Sequence, residues 1–84
     1  MNSINWTNKA IKQLRKLDRQ NQKPITQAVG ALENMPDCQN VKPLTNHEFG
    51  YRLRVGNFRV LFNFDGAIRI VSIEEVRKRD ERTY

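Results

Sequence analysis

Residues 51–64 contain the feature that most constrains the fold, two runs of alternating apolar and polar residues separated by Gly56-Asn57. A Gly-Asn pair between two such runs is typical of a two-residue β-turn. The spacing therefore predicts an antiparallel hairpin in which opposed residues share one face of the sheet. The predicted register pairs Val55 with Phe58, Arg54 with Arg59, Leu53 with Val60, and Arg52 with Leu61.

A third strand is predicted over residues 67–76, a β-branched run that follows a second turn signal at Asp65-Gly66. A two-residue turn at this point pairs Asn63 with Ile68 and Arg59 with Ser72. The predicted core face consists of Tyr51, Leu53, Val55, Phe58, Val60, Phe62, Phe64, Ala67, Val71 and Ile73, with Arg69 at its rim. The opposite face carries Arg52, Arg54, Arg59 and Ser72, followed by Leu61, Ile68 and Ile70. No carboxylate falls among its arginines in this register.

Two amphipathic helices precede the hairpin. An edge strand at 2–6 is followed by apolar residues at helical spacing, with Thr7 or Asn8 as N-cap. A loop at 21–23 leads to a second helix, with Pro24 in its first turn, Met35 near its end and Pro36 as its stop. Residues 37–48 are predicted to be a loop. The sequence thus predicts an α+β fold, (β)ααβββ, with a helical hairpin on a small, mostly antiparallel sheet.

The size of the chain and its residue types exclude several classes of protein. At 84 residues we expect a single domain, 1–84, with a small core. One Cys and one His make a zinc site of protein ligands improbable, and we expect no metal and no cofactor. No signal peptide or membrane-length apolar run is apparent. We therefore expect a cytoplasmic protein.

The net charge of +6 favours an anionic partner, nucleic acid or an acidic protein, although solubility alone also explains such an excess. Seven of the eight basic residues after residue 50 are arginines, whereas five of the seven before it are lysines. Arginine pairs bidentately with phosphate. The predicted juxtaposition of Arg52, Arg54 and Arg59 costs repulsion, and we expect it to be offset by an anion or by acids such as Glu48 or Glu74.

Together, the YRLRVGNFRVLF hairpin, the VRKRDERTY tail and the order of elements resemble the RelE/ParE superfamily of toxins from bacterial toxin–antitoxin pairs. The resemblance covers essentially the whole chain. It implies a ribosome-dependent endoribonuclease that cleaves mRNA in the A site, and an antitoxin protein as partner. The residues that match the catalytic pattern are Arg52, Arg54, Arg59, Arg79 and Tyr84. Tyr84 stands about one residue closer to Arg79 than in that pattern, so Arg77 or Lys78 could share the role given to Arg79.

The implied reaction is attack of a ribose 2′-OH on its own 3′-phosphate, without metal. Arg52, Arg54 and Arg59 would stabilise the phosphorane transition state. The resemblance assigns the base to Tyr84 and stabilisation of the leaving group to Arg79. Further contacts to RNA or the ribosome are assigned to Arg77, Lys78, Arg82, Lys9, Lys12 and Lys16; for the helix lysines, a solvated face is the other interpretation.

Alternatives remain open at this point. A ParE-type toxin has the same fold but inhibits DNA gyrase by binding it, and a decayed relative would bind antitoxin or RNA without catalysis. His47, just before the arginine strand, is a rival acid or base, although a lone loop histidine is more often incidental. Cys38 is expected to be a small, partly buried residue rather than a nucleophile.

Overall fold

The computed structural model of the chain describes residues 1–79. Within this range the elements are β1 Ser3–Trp6, α1 Asn8–Arg15, α2 Arg19–Gly30, a 3₁₀ turn Ala31–Asn34, β2 Val41–Pro43, β3 Tyr51–Val55, β4 Phe58–Asp65 and β5 Ile70–Lys78. The strands form one sheet in the order β1-β5-β4-β3-β2. β1 is parallel to β5 and the other neighbours are antiparallel. The predicted α+β class and the edge position of the first strand are confirmed.

The core lies between the helices and one face of the sheet. Helical Ala10, Ile25 and Val29 pack against strand residues such as Phe62 and Ile73, and these side chains are 0–2% exposed. Burial of apolar surface of this kind is the main source of stability in a small domain. The predicted core-face residues Leu53, Val60, Phe62, Val71 and Ile73 are buried, and Tyr51, Val55, Phe58 and Phe64 pack partly buried against them.

The first helix begins as predicted, because the Thr7 side chain caps it by accepting a hydrogen bond from the Ala10 amide. The second helix begins earlier than predicted. Residues 21–23 are helical rather than a loop, and the carbonyl of Asp18 accepts from the amides of Asn21 and Gln22. Arginine, glutamine and lysine favour helix, so the polar run extends α2 rather than breaking it. Pro24 therefore lies inside the helix, whose regular part ends at Gly30 before the 3₁₀ turn.

The segment predicted as one loop, 37–48, contains the short strand β2. Val41 pairs with Leu53, Lys42 with Arg52, and Pro43 with Tyr51. Pro43 is compatible with this position because β2 is at the edge of the sheet, where a missing N–H costs no ladder bond. The β2 pairing brings the preceding loop to the side of the arginine strand.

The β3–β4 hairpin has the predicted register at every pair. Gly56 has a φ of 54°, a left-handed conformation that glycine adopts without a steric penalty. This turn fixes Arg54 opposite Arg59.

The β4–β5 connection differs from the prediction. The turn comprises residues 66–69, and Asn63 pairs with Ser72 rather than Ile68. The side chain of Asp65 accepts hydrogen bonds from the amides of Ala67 and Ile68, and this local capping of the backbone favours the longer turn. Ala67, Ile68 and Arg69 are consequently exposed in the turn, not in a strand, and Arg69 has a φ of 58°.

A β-bulge then changes the face of the second half of β5. Phe62 pairs with Ile73, but its neighbour Leu61 pairs with Glu75, so Glu74 is the extra residue. A bulge of one residue exchanges the two faces beyond it. Ser72, which was predicted to lie opposite Arg59, is moved opposite Asn63 by the longer turn. The bulge then places Arg77, rather than Val76, opposite Arg59.

Candidate functional site

A row of arginines crosses the face of the sheet away from the helices. Arg54 on β3 is opposite Arg59 on β4, and Arg59 is opposite Arg77 on β5. Opposed side chains on neighbouring strands have Cβ atoms about 4.5–5.5 Å apart. We call Arg54, Arg59 and Arg77 the arginine row. The first two members were predicted to be neighbours, whereas Arg77 was assigned to a tail and reaches the row through the bulge.

The next positions along the strands, two residues away, hold Arg52, Leu61 and Glu75, with Lys42 at the β2 edge. Arg52 donates to the carbonyl of Asn40 at 3.4 Å. Leu61 is 0% exposed although it lies on the face opposite the core. Its neighbours on this face include Arg52 and Arg59, and arginine side chains cover apolar surface with their alkyl portions while the guanidinium groups reach water.

Glu75 contradicts the prediction that no carboxylate falls among the arginines. It is 3% exposed. Nε and a terminal nitrogen of Arg77 donate to its two oxygens, each at 2.8 Å. Lys9 Nζ lies 3.4 Å from the carboxylate, and Gln13 of α1 donates to it at 3.5 Å. Burial acts to raise the pKa of Glu75, but the hydrogen bonds and charge of Arg77, with smaller contributions from Gln13 and Lys9, bring its pKa below the ordinary value.

A groove of about 510 Å³ opens beside the arginines. It is lined by Lys42, Pro43, Leu44, Thr45, Asn46, His47, Arg52 and Arg59. The His47 Nδ1 accepts a hydrogen bond from the Phe49 amide at 3.0 Å, so the neutral ring carries its proton on Nε2. The structure thus brings His47 to the same groove as two predicted catalytic arginines. Sequence spacing alone gave His47 little weight because the β2–β3 pairing was not foreseen.

Arg79 lies at the turn end of the β3–β4 hairpin. The loop that lines the groove, residues 44–50, lies at the other end. The Arg79 amide donates to the carbonyl of Asn57 in the hairpin turn. Arg79 and Lys78 line a cavity of about 640 Å³ together with Asn21, Asn57 and Phe58. Lys78 is paired with Phe58, so it lies on the other face of β5 from Arg77. Tyr84 and Arg82, also predicted as site residues, lie outside the described residues.

The predicted basic residues of α1 lie beside β5. Lys9, Lys12 and Lys16 are all exposed, and Lys9 also contacts Glu75. Gln13 accepts a hydrogen bond from the amide of Val76 at 2.7 Å and so covers part of the β5 edge beyond β1. Because Lys9 contacts Glu75, it is linked to the arginine face of the sheet.

Metal binding and cysteine chemistry receive little support from residues 1–79. No group of three or more His, Cys, Asp or Glu side chains is arranged to hold a metal ion in this range. Burial, together with the charge of Asp37, raises the pKa of the Cys38 thiol, which favours the unreactive protonated form. No helix of the described part is long and apolar enough to cross a membrane.

Comparison with known proteins decides the family. The protein-family model for the ParE toxin of type II toxin–antitoxin systems (parDE) matches residues 4–83. The chain belongs to this family. It is accordingly a RelE/ParE-superfamily toxin of a type II toxin–antitoxin system. No curated protein sequence matches it significantly.

Solved structures with the same fold include RelE proteins. The RelBE2 toxin–antitoxin complex of Mycobacterium tuberculosis contains a chain 26% identical to this one, with a TM-score of 0.79; the match covers 93% of this chain and 98% of that one. The archaeal RelE–RelB complex of Pyrococcus horikoshii matches at 20% identity and TM-score 0.80, covering 98% of both chains. The isolated RelE toxin of Escherichia coli matches at 16% identity and TM-score 0.79, covering 99% of this chain and 88% of that one. The superfamily inferred from the sequence is thus confirmed.

Proposed function

We propose that this toxin is a ribosome-dependent endoribonuclease that cleaves mRNA in the A site and so inhibits translation in the cytoplasm. The observation that carries the proposal is the placement of Arg54 and Arg59 opposite each other, with Arg52 two residues away on the same face. A surface that accepts such repulsion is suited to an anionic ligand, and the resemblance to RelE-type toxins favours mRNA as that ligand.

The proposed reaction needs no metal. The 2′-OH attacks the adjacent phosphodiester, and the products are a 2′,3′-cyclic phosphate and a 5′-OH. Negative charge accumulates on the phosphorane oxygens, so fixed guanidinium groups aimed at them lower the barrier. We assign this role to Arg52, Arg54 and Arg59. The ribosome contributes by orienting the substrate for in-line attack.

Two further residues are proposed to assist the transfer of protons. Tyr84 is the proposed base, and a free tyrosine with a pKa of about 10 requires nearby cations to favour its ionised form. Arg79 is the proposed stabiliser of the leaving 5′-oxygen. His47 is the alternative acid or base, because it lines the groove with Arg52 and Arg59. Further proposed contacts to RNA or the ribosome are Arg77, Lys78, Arg82, Lys9, Lys12 and Lys16.

A cognate antitoxin protein is the second proposed partner. The Mycobacterium tuberculosis and Pyrococcus horikoshii relatives are toxin–antitoxin complexes, which supports the same type of assembly for this chain. A basic toxin suits a partner with an acidic or amphipathic segment that folds on binding.

The proposed function is tested by primer extension on mRNA bound to purified 70S ribosomes. The wild-type protein is expected to generate cleavage products in the A site on ribosomes and none on free mRNA. Arg59→Ala is expected to abolish them. Arg69→Asn is the matched control, since it removes an arginine from the β4–β5 turn, where asparagine tolerates a φ of 58°. Cleavage that persists in Arg59→Ala would contradict the assignment.

Gyrase inhibition is the second candidate, and the match to the ParE toxin model favours it. A gyrase inhibitor would act by protein binding and would not need the arginine cluster. In a supercoiling assay, inhibition by wild type and Arg59→Ala alike, together with intact mRNA on ribosomes, would replace the RNase proposal with this one.

A further inference from the structure

Glu75 is unusual because it is a buried acid on a cationic surface. A carboxylate withdrawn from water is destabilising unless it is paired and hydrogen-bonded. It also lowers the positive potential that would attract an anion. Glu75 is 3% exposed and lies two residues from the arginine row, opposite Leu61. Its contribution to an anion site must therefore come from what it holds in place.

Arg77 is the residue that Glu75 holds. The two residues are on the same strand and the same face, and the guanidinium meets both carboxylate oxygens at 2.8 Å. This bidentate contact fixes the plane of the guanidinium as well as its position. The Arg77 side chain is 26% exposed, so it is accessible to a ligand although its partner is not. Its place opposite Arg59 makes it part of the arginine row.

We propose that Arg77 binds an RNA phosphate next to the one held at Arg54 and Arg59, and that Glu75 is its positioning residue. The proposal rests on the proposed function for its choice of RNA as ligand. It extends the site from two strands to three. It also links α1 to the site, because Lys9 and Gln13 contact the same carboxylate.

The proposal predicts that neutralising Glu75 weakens RNA binding, whereas net charge alone predicts tighter binding. Replacing an acid by a neutral residue makes the surface more positive and should tighten RNA binding. Glutamine at position 75, however, offers one acceptor and one donor group, so it cannot accept both hydrogen bonds of the Arg77 fork. Glu75→Gln is therefore expected to weaken binding. Glu74→Gln is the matched control, since it removes the same charge one residue away, at the bulge.

The experiment measures binding of a short fluorescent 2′-O-methyl RNA by anisotropy, without ribosomes, over a range of salt concentrations. Such RNA lacks the attacking hydroxyl, so binding is read without cleavage. Arg77→Ala is expected to weaken binding about tenfold. It should also reduce the slope of log affinity against log salt by about 0.7, the value for one phosphate contact on a single strand. Arg77→Lys, which keeps the charge but not the fork, should retain the slope and lose affinity.

A double-mutant cycle separates positioning from a structural role. If Glu75 acts through Arg77, Glu75→Gln has little further effect on binding in the Arg77→Ala background. Thermal unfolding of each variant verifies that it is folded, and Arg77→Lys supplies the test if Glu75→Gln does not fold. Tighter binding by both Glu75→Gln and Glu74→Gln, or additive losses in the cycle, would overturn the proposal.

Failure of this inference and failure of the proposed function give different experimental results. Binding that depends on Arg77 and Glu75 without cleavage on ribosomes would contradict the RNase activity and support this inference. Cleavage on ribosomes that is unaffected by Arg77→Ala, with an unchanged salt slope, would support the activity and contradict the inference.

Discussion

Arg54 and Arg59 lie directly opposite each other across the β3–β4 hairpin, on the face of the sheet away from the core. Like charges at opposed positions destabilise a hairpin by an amount similar to the gain from a favourable pair, about 0.2–1 kcal/mol. Charge repulsion is therefore expected between these two side chains, and an anion bound beside them would offset it. This relationship links stability and function, and each can be measured.

Arg54→Thr is expected to stabilise the protein. The substitution removes the repulsion while threonine suits a strand, so the free energy of unfolding should rise by about 0.2–1 kcal/mol. Urea unfolding at low ionic strength measures this change. Added NaCl should narrow the difference, because salt screens the repulsion in the wild type. A variant less stable than the wild type at every salt concentration would contradict the interpretation.

Gly56→Ala is expected to destabilise the hairpin that sets the arginine register. A Cβ at this position meets no atom within 4 Å, so the cost comes from the φ of 54° and not from crowding. A left-handed conformation costs an ordinary residue about 1–2 kcal/mol. Gly56→Asn is the control, since asparagine tolerates this region better. Equal urea midpoints for the alanine variant and the wild type would show that the turn is not strained by a side chain.

The stability that Glu75 contributes is expected to depend on pH. Its pKa is lowered in the folded protein, so the contribution is complete above the ordinary glutamate pKa of about 4.3 and is lost as pH falls through the folded value. The difference in unfolding free energy between wild type and Glu75→Gln should therefore be constant near neutrality and shrink in acid. Urea unfolding from neutral to acidic pH measures it. A difference that grows toward low pH has the wrong sign for this account.

Asn2→Ala is expected to lower the free energy of unfolding by about 1–3 kcal/mol. The buried Asn2 amide donates to the carbonyls of Leu32, Glu33 and Met35, at 3.0–3.3 Å, where the chain leaves the 3₁₀ turn. Its removal leaves carbonyl groups of a buried region without this donor. The matched control is Asn5→Ala in β1, the strand that follows Asn2, where the side chain is exposed. Similar losses for both variants in urea unfolding would contradict the assignment.

The sequence predicts the β3–β4 register because Gly56-Asn57 allows one tight turn and the alternation on both sides agrees with it. The β4–β5 register depends on events that alternation does not reveal. The Asp65 side chain caps a longer turn, and a bulge at Glu74 exchanges the faces beyond it. Helix α2 begins earlier than predicted because its first residues, 19–23, are all polar and therefore carry no apolar periodicity.

The predictable part of the site is likewise the part on the β3–β4 hairpin, and the rest lies on β5. Arg52, Arg54 and Arg59 are placed together by the hairpin that the sequence predicts. Arg77 and Glu75 reach this face through the bulge. A run of β-branched residues that changes into Glu-Glu-Val-Arg was the available signal, since strict alternation breaks at that point. The roles of Arg79 and Tyr84 stay predictions.

The central claim is that opposed arginines of this sheet stabilise the transition state of RNA cleavage on the ribosome. The most direct test is the single-turnover rate of cleavage of an mRNA with a defined A-site codon on 70S ribosomes, for wild type and Arg59→Ala. The account predicts cleavage by the wild type with a 2′,3′-cyclic phosphate end, and a rate at least about 100-fold lower for the variant, as for loss of one transition-state donor. Equal rates for the two proteins, or intact mRNA with the wild type, would contradict it.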